Sequence, residues 1–241
     1  MAQFKKNVVI AHRGAWKAND LPENSLASLN AAIELGCHAS EFDVHLTKDD
    51  VLVVNHDSEF NGMDIETSTY KELLKTELPN GEKIPTAEEY LKEGLEQNKT
   101  KLIFEIKTSQ IGEARTRKLT ELAVDLVHRL NAEKWVEYIC FDFETGKYVH
   151  ELDPAAEVAY LNGDKTPEEV KEAGYTGLDY HFSVYDKNPR WIKEAHDLGL
   201  TINAWTVNEP KVMKSLLDQD VEYITTNEPE ILFELLEQRT K

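Results

Sequence analysis

A chain of 241 residues, of which 41% are hydrophobic, is long enough to bury a large core, and single α/β barrels commonly have about this size. The formal net charge of −18 argues against binding to nucleic acid or to an anionic membrane surface, because both would repel the chain. An anionic small molecule would need a local cation or a basic side chain to hold it.

The first predicted element is a strand at about 7–12, and few apolar residues accompany it. This apolar stretch is too short for a signal peptide or a transmembrane span, so we expect a cytoplasmic protein, or a periplasmic or secreted one if a leader has been removed. His12, Arg13 and Gly14 lie where this strand would leave the core. Strand ends of this kind often carry the chemistry of α/β enzymes.

Predicted strands and helices alternate along the rest of the chain, with an extra short strand at 51–55. Eight strands alternating with eight helices favour a (β/α)8 barrel in a single domain over 1–241. A doubly wound open sheet is the alternative, because periodicity does not show whether a sheet closes. The predicted strands are 7–12, 39–46, 101–107, 136–142, 157–162, 175–183, 201–207 and 221–226, and the predicted helices are 25–35, 86–97, 113–131, 145–152, 167–173, 189–198, 209–219 and 229–238.

Two of the predicted strands carry charged residues on the face that would point into the barrel. Because strand residues alternate between faces, Glu41, Asp43 and His45 share one face of the second strand. By the same rule, Glu105 and Lys107 share one face of the third. Two carboxylates about 5 Å apart repel each other by about 3 kcal/mol at an effective dielectric constant of about 20. Converging carboxylates therefore need protons or a cation.

We interpret the three carboxylates as ligands of one divalent cation, Mg²⁺ or Ca²⁺, because hard cations bind oxygen ligands and no cysteine belongs to the pattern. The alternative is that Glu41 and Asp43 form separate ion pairs with Lys48, Arg13 or Lys107. The repetition of the pattern on two strands favours the metal.

Of the eight histidines, His12 and His56 each end an apolar β-run. Two imidazoles beside a metal–carboxylate cluster have the pKa range of a general base and a general acid at neutral pH. As structural residues they would cap the strand ends, an interpretation that is weaker for two histidines than for one. His45, on the face of the acidic residues, and His181 could line the same mouth of the barrel.

Short motifs follow one another in a fixed order from His12 to about Pro229. They read HRG and PEN, EFDVHLTKDD, VVNHD, IPT, FEIK, LGLTINAWTVN and YITTNEP. Each is weak alone, but their ordered combination resembles the glycerophosphodiester phosphodiesterase family. The resemblance implies a TIM barrel with a small insertion after the second strand, at 57–85, which agrees with the alternation of strands and helices. The insertion shows little pattern beyond a loop.

The resemblance also implies an activity: metal-dependent hydrolysis of a small-molecule glycerophosphodiester to sn-glycerol 3-phosphate and an alcohol. Glu23 and Asn24 of the PEN motif are secondary candidates for the site, or else part of a loop that caps a helix before Ser25. Core packing is the alternative for Trp205. The implied roles are acid–base catalysis for His12 and His56, metal binding for Glu41, Asp43 and Glu105, phosphate contact for Arg13 and Lys107, and a wall for the glycerol or leaving group for Trp205.

Two other functions are compatible with the residues. A lipid-directed phosphodiesterase of the phospholipase C or sphingomyelinase D type would share the barrel and the histidine pair, but it needs a surface that engages bilayers, and the sequence offers neither an amphipathic apolar loop nor a basic patch. We therefore expect no stable membrane association. An inactive barrel that binds a phosphorylated polyol would have no use for the two histidines.

The motifs depart from the family pattern at four positions. Ser25 replaces a threonine and keeps its hydroxyl, and Cys140 stands where serine is common. A turn that usually reads Asp-Gly ends here in Asp50, and the late motif has Asn227 where aspartate is usual. None of these positions coincides with a proposed histidine or metal ligand.

Overall fold

The computed structural model describes residues 4–239 of the chain. Strands and helices alternate along it. The strands are β1 (Val9–Ala11), β2 (Ala39–Leu46), β3 (Leu52–Val54), β4 (Glu59–Phe60), β5 (Met63–Asp64), β6 (Lys101–Ile106), β7 (Val136–Cys140), β8 (Val158–Tyr160), β9 (Gly177–His181), β10 (Thr201–Trp205) and β11 (Tyr223–Thr226). The helices are α1 (Leu26–Leu35), α2 (Tyr70–Leu73), α3 (Ala87–Leu95), α4 (Glu113–Leu130), α5 (Phe143–Leu152), α6 (Pro167–Glu172), α7 (Phe182–Lys187), α8 (Trp191–Asp197), α9 (Pro210–Leu217) and α10 (Pro229–Arg239).

Eight parallel strands form a closed barrel. They are β1, β2 and β6 to β11, and each pairs with its neighbours in this order. Because β1 pairs with both β2 and β11, the sheet has no open edge, and the alternative of a doubly wound open sheet is excluded. The predicted extra strand is β3, which runs antiparallel to the end of β2 and adds to the barrel from outside. The predicted TIM barrel is confirmed.

The alternation of strand residues divides the core into two parts. Outward-facing side chains such as Phe42 and Phe104 join the large apolar cluster under the helices. Burial of each large apolar side chain contributes roughly 1.5–3 kcal/mol to stability. Inside the barrel the apolar part is small, so its remaining space is lined by polar groups. The inner cluster consists of Ile10, Ala39, Ile103, Ile139 and Leu161.

The insertion at 57–85 has more structure than the sequence predicts. It contains β4 paired with β5 and the helical turn α2, all of two to four residues. Their apolar side chains form a separate cluster with Val53. Glu66 fastens the insertion to the loop after β6, because its carboxylate accepts hydrogen bonds from the Ser109 hydroxyl and from the Gln110 backbone N–H, the latter at 2.8 Å. Elements this short show no hydrophobic periodicity, so the sequence does not predict them.

The prediction is also wrong just after β9. The strand ends at His181 instead of continuing to 183, and α7 begins at Phe182. The His181 ring accepts a hydrogen bond from the Ser183 N–H at 3.3 Å and so caps this helix. The predicted helix at 189–198 is the shorter α8. Within residues 4–239, no helix is long and apolar enough to cross a membrane.

The chain turns tightly after β1, and glycine is needed there for packing. Arg13 and Gly14 have φ angles of 57° and 83°, in the left-handed region. A Cβ atom on Gly14 would lie 2.6 Å from the backbone carbonyl carbon of Ser28. The close approach that this glycine permits is therefore to α1, whose first turn is capped by Ser25.

We expect Gly14→Ala to lower the free energy of unfolding by about 2–5 kcal/mol, since it adds left-handed strain to an overlap with Ser28. The control is Gly81→Ala, because Gly81 has a φ of 86° but nothing within 4 Å of the added Cβ. This control should lose only about 1–2 kcal/mol. Urea unfolding of both variants measures the difference, and equal losses would show that the contact with α1 is unimportant.

Candidate active site

The carboxyl ends of the barrel strands surround a cavity of about 90 Å³. A larger cavity of about 800 Å³ lies beside Trp135 near the start of β7, but none of the predicted site residues lines it. Asp43 lies just behind the wall of the smaller cavity, in contact with Arg13 and Lys107. The predicted residues that line the smaller cavity are His12, Arg13, Glu41, His56, Glu105, Lys107 and Trp205.

Three buried carboxylates converge at one side of this cavity. Glu41 and Asp43 lie on β2, and Glu105 lies on β6 directly opposite Asp43. One carboxylate oxygen from each lies within 4.8 Å of the others. Among the residues that the structure describes, Glu41 Oε1 is buried without a hydrogen-bond partner. An all-oxygen donor set with an unsatisfied oxygen fits a hard divalent cation.

The electrostatics of the three carboxylates also fit a cation. Burial raises the pKa of Glu41 well above its usual range, and the charges of Asp43 and Glu105 raise it further. Burial followed by the Asp43 charge raises the pKa of Glu105 to about 8, against the opposing effect of Lys107. Burial would also raise the pKa of Asp43, but Lys107, His56 and Arg13 together hold it below its usual range. The metal-free cluster therefore retains protons that a divalent cation would displace.

Two cationic side chains accompany the carboxylates. Lys107 Nζ lies 2.7 Å from Asp43 Oδ1 and 2.7 Å from Glu105 Oε1. Arg13 Nη1 donates to Glu23 at 2.8 Å, and Arg13 Nε lies 3.6 Å from Asp43 Oδ2. The alternative of separate ion pairs is thus partly realised for Asp43.

Glu41 forms no such ion pair with a lysine or arginine in the described part of the chain. Its Oε2 accepts a hydrogen bond from the Arg13 backbone N–H at 2.9 Å. The positive φ of Arg13 directs this N–H group into the site. The turn after β1 thereby positions a carboxylate as well as the guanidinium group.

The PEN loop supports the site from the side. Asn24 Nδ2 donates to Asp43 Oδ2 at 2.8 Å, and Asn24 Oδ1 accepts from the Asp43 backbone N–H at 3.1 Å. Glu23 holds Arg13 as described above. These two residues therefore contact the site, and Ser25 caps α1, so both interpretations of this loop hold.

The two predicted histidines have different partners. An amide oxygen can only accept a hydrogen bond, so His12 Nδ1–H donates to Asn227 Oδ1 at 2.7 Å, and His12 Nε2 is left as an acceptor. Burial and then the Arg13 charge lower the pKa of His12 to about 4. His56 Nδ1 lies 2.7 Å from the carboxylate of Asp57. His12 thus has a neutral partner and His56 has an anionic one.

The two ambiguous histidines lie outside the cavity wall. His45 is buried, and its Nε2 lies 3.0 Å from the His56 carbonyl oxygen. His181 contacts Trp205 edge to face, with ring centroids 5.4 Å apart. Trp205 is half-buried on the wall, where its Nε1 donates to the Asp179 carbonyl oxygen at 2.7 Å and its ring meets Phe141 at the rim. Trp205 therefore lines the cavity and also packs against the inner apolar cluster.

Sequence reasoning missed three residues at the site. In the sequence, Asn227 stood out only as a departure from the family pattern. In the structure its side chain contacts His12. Asp179 shares the inner face of β9 with His181, so the alternation rule could have found it. Phe141 directly follows β7 and lies at the rim, 39% exposed.

A model of the glycerophosphoryl diester phosphodiesterase family matches residues 12–231. The chain belongs to this family. It is accordingly an enzyme, because the family and its named relatives are glycerophosphodiester phosphodiesterases.

Solved structures and curated relatives agree with this family membership. A crystal structure of a glycerophosphodiester phosphodiesterase from Parabacteroides distasonis ATCC 8503 is 44% identical, with a TM-score of 0.95 over 99% of this chain and 100% of that chain. The glycerophosphodiester phosphodiesterase of Caldanaerobacter subterraneus subsp. tengcongensis is 28% identical over 92% of this chain and 94% of its own. An Oleispira antarctica phosphodiesterase, solved with the product sn-glycerol-3-phosphate, shares the fold at 22% identity and a TM-score of 0.80, covering 96% of this chain and 97% of that chain.

Proposed function

We propose that this phosphodiesterase hydrolyses small glycerophosphodiesters to sn-glycerol 3-phosphate and an alcohol with the help of one divalent cation, Mg²⁺ or Ca²⁺. The observation that carries this proposal is the convergence of two histidines, an acidic triad and two basic side chains on one cavity. The reaction needs a proton acceptor, a proton donor and positive charge at the phosphate, and the cavity offers all of these.

Positive charge is concentrated at the proposed phosphate position. Arg13 Nε lies 3.6 Å from Asp43 Oδ2 but makes no hydrogen bond within residues 4–239, so the guanidinium group keeps a donor for a phosphoryl oxygen. Lys107 lies between Asp43 and Glu105 and adds a second cationic group. A cation held by Glu41, Asp43 and Glu105 would supply Lewis-acid stabilisation of the charge on the phosphoryl oxygens. Together these groups let a protein with a strongly negative net charge bind an anionic substrate.

The partners of the two histidines support an assignment of roles. His12 is neutral at pH 7 and keeps Nε2 unprotonated towards the cavity, 4.0 Å from Glu41 Oε2, which suits a general base. The Asp57 carboxylate, 2.7 Å from His56 Nδ1, orients this ring at the cavity, which suits a general acid. His12 would deprotonate the attacking hydroxyl, from water or from the glycerol 2-position, and His56 would protonate the leaving alcohol.

The experiment that tests the proposal is release of sn-glycerol 3-phosphate from glycerophosphocholine and glycerophosphoethanolamine, with Mg²⁺, with Ca²⁺ and with EDTA. We expect release that EDTA abolishes. Activity on lipid vesicles alone would instead support a lipid-directed phosphodiesterase. A phosphodiester that binds with metal present but stays uncleaved for hours would support the binding-protein alternative.

The contact between Asn227 and His12 predicts a change in pH dependence. In Asn227→Asp a carboxylate would replace the amide 2.7 Å from His12 Nδ1 and raise the pKa of His12 from about 4. Because a general base must be deprotonated, the rising limb of the kcat/KM profile should move to higher pH by about 1–2 units. The falling limb should stay in place. An unmoved rising limb would show that His12 is not the base.

A further inference from the structure

A fourth carboxylate faces the cavity and has no part in the mechanism proposed above. Asp179 lies on β9 opposite Asn203 of β10, on the inward face. It is only 3% exposed, and its Oδ1 has no hydrogen-bond partner among the residues described by the structure. A buried carboxylate oxygen without a donor is unfavourable, so a ligand that brings a donor would be stabilised there.

Three of the residues that line this one cavity each carry an unsatisfied side-chain atom. These atoms are Arg13 Nε, Glu41 Oε1 and Asp179 Oδ1, each buried and without a partner within residues 4–239. The first is a donor that matches a phosphoryl oxygen, and the second is an acceptor that matches a cation. The third is an acceptor on β9, which two strands separate from β1 and from β6, the strands that precede Arg13 and Lys107. It matches a hydrogen-bond donor of the substrate. The hydroxyl groups of glycerol are donors that every glycerophosphodiester carries, whatever its second alcohol is.

The surroundings of Asp179 match a short polyol. Ile139, Leu161 and Trp205 line the same cavity, and the indole N–H is already bound to the carbonyl oxygen of Asp179 itself. This part of the wall therefore offers apolar surface to a carbon chain and one carboxylate to a hydroxyl. A volume of about 90 Å³ accommodates a three-carbon unit, while a larger alcohol would extend past Phe141 at the rim. The anionic phosphate is kept away from Asp179, at the basic groups.

We propose that Asp179 accepts a hydrogen bond from a hydroxyl group of the glycerol moiety and so selects glycerol among alcohols esterified to the same phosphate. This inference rests on the proposed function and names which end of the substrate enters the barrel. Burial raises the pKa of Asp179 to about 7 against the opposing effect of the neighbouring Asn203 side chain, and a bound hydroxyl donor would lower it further by stabilising the carboxylate.

The test is calorimetric titration of the full chain, in MgCl₂, with sn-glycerol 3-phosphate and with n-propyl phosphate, which has the same carbon chain but no hydroxyl groups. We expect the wild type to prefer glycerol 3-phosphate by about 10–100-fold, the usual range for a hydrogen bond to a charged group. Asp179→Leu should abolish this preference and bind n-propyl phosphate as the wild type does. Asp197→Asn on the exposed surface of α8 is the control and should keep the full preference.

Equal affinities of the wild type for the two phosphates would overturn the inference, as would a leucine variant that keeps the preference. If the leucine variant does not fold, Asp179→Asn decides: it keeps an acceptor but loses the charge, so its preference should fall by at least about threefold, and an unchanged preference would overturn the inference. Both ligands are monoesters, so this comparison does not depend on turnover. Failure of the proposed function would appear separately, as absent release of glycerol 3-phosphate from the diesters.

Discussion

Replacing either His12 or His56 by alanine should lower kcat by at least about 100-fold, the usual scale for general acid–base groups. The two rings line one cavity, and each is oriented by its own side-chain partner, Asn227 for His12 and Asp57 for His56. The loss should fall on kcat more than on KM, because a proton transfer is made only in the transition state. Steady-state kinetics on glycerophosphoethanolamine measures both constants.

His128→Ala provides the matched control for these variants. The His128 ring forms an exposed hydrogen bond with Asp153 and lines the larger cavity, away from the proposed site. Its removal should leave kcat within about twofold of the wild type, since exposed pairs of this kind contribute little. A near-normal rate in the His12 or the His56 variant would remove that residue from the mechanism.

The second large effect is expected from Glu105→Gln, and it has opposite signs for activity and for stability. Activity should fall at least about 100-fold, because even the outer partners of metal ligands cost about 10–100-fold when removed. In the metal-free protein at pH 8, however, the variant should be more stable than the wild type. The substitution removes a carboxylate whose charge is opposed by burial and by Asp43.

The sign follows from the pKa of Glu105, which is raised to about 8 in the folded protein from about 4.3 in an unfolded chain. The folded state therefore holds this proton more tightly. The resulting stabilisation is complete below the unfolded pKa and is lost as the pH rises towards 8. Glutamine has no such proton, so the variant should show a weaker loss of stability between about pH 4.5 and 8.

Urea unfolding across this pH range, with EDTA and with MgCl₂, measures these effects. Added Mg²⁺ should stabilise the wild type and should stabilise Glu105→Gln less. Glu144→Gln, at an exposed position on α5, is the control and should follow the wild type throughout. Equal stabilisation of all three proteins by Mg²⁺ would contradict a role of Glu105 as a metal ligand.

Strand periodicity was sufficient to predict the acidic triad. Glu41 and Asp43 differ by two positions on β2, and the parallel register places Glu105 opposite Asp43. The alternation of side chains within a single strand thus predicts which residues face into the barrel, before the strand pairing is known. The same rule assigns Asp179 to the inner face, although a lone aspartate on a strand does not by itself indicate a site.

Other parts of the structure depend on contacts between distant residues. Asn227 meets His12 only because β11 pairs with β1 when the barrel closes. The insertion consists of elements of two to four residues, too short for any period to be read. Asp50 also depends on distant residues. It has a φ of 65° at a position where the family pattern has glycine, and ion pairs with Arg115 and Lys118 hold it there.

The attachment of His56 has a consequence for how this enzyme can diverge. The residue before it, Asn55, donates its backbone N–H to the Asp43 carbonyl oxygen at 3.0 Å, and His45 Nε2 lies 3.0 Å from the carbonyl oxygen of His56 itself. Both anchors belong to β2, which also carries two of the acidic residues. The insertion beyond Asp57 begins only after these anchors, so evolution or an engineer can lengthen, shorten or exchange 58–85 and recruit new alcohols as leaving groups, while Asp57 and the reacting groups stay in place.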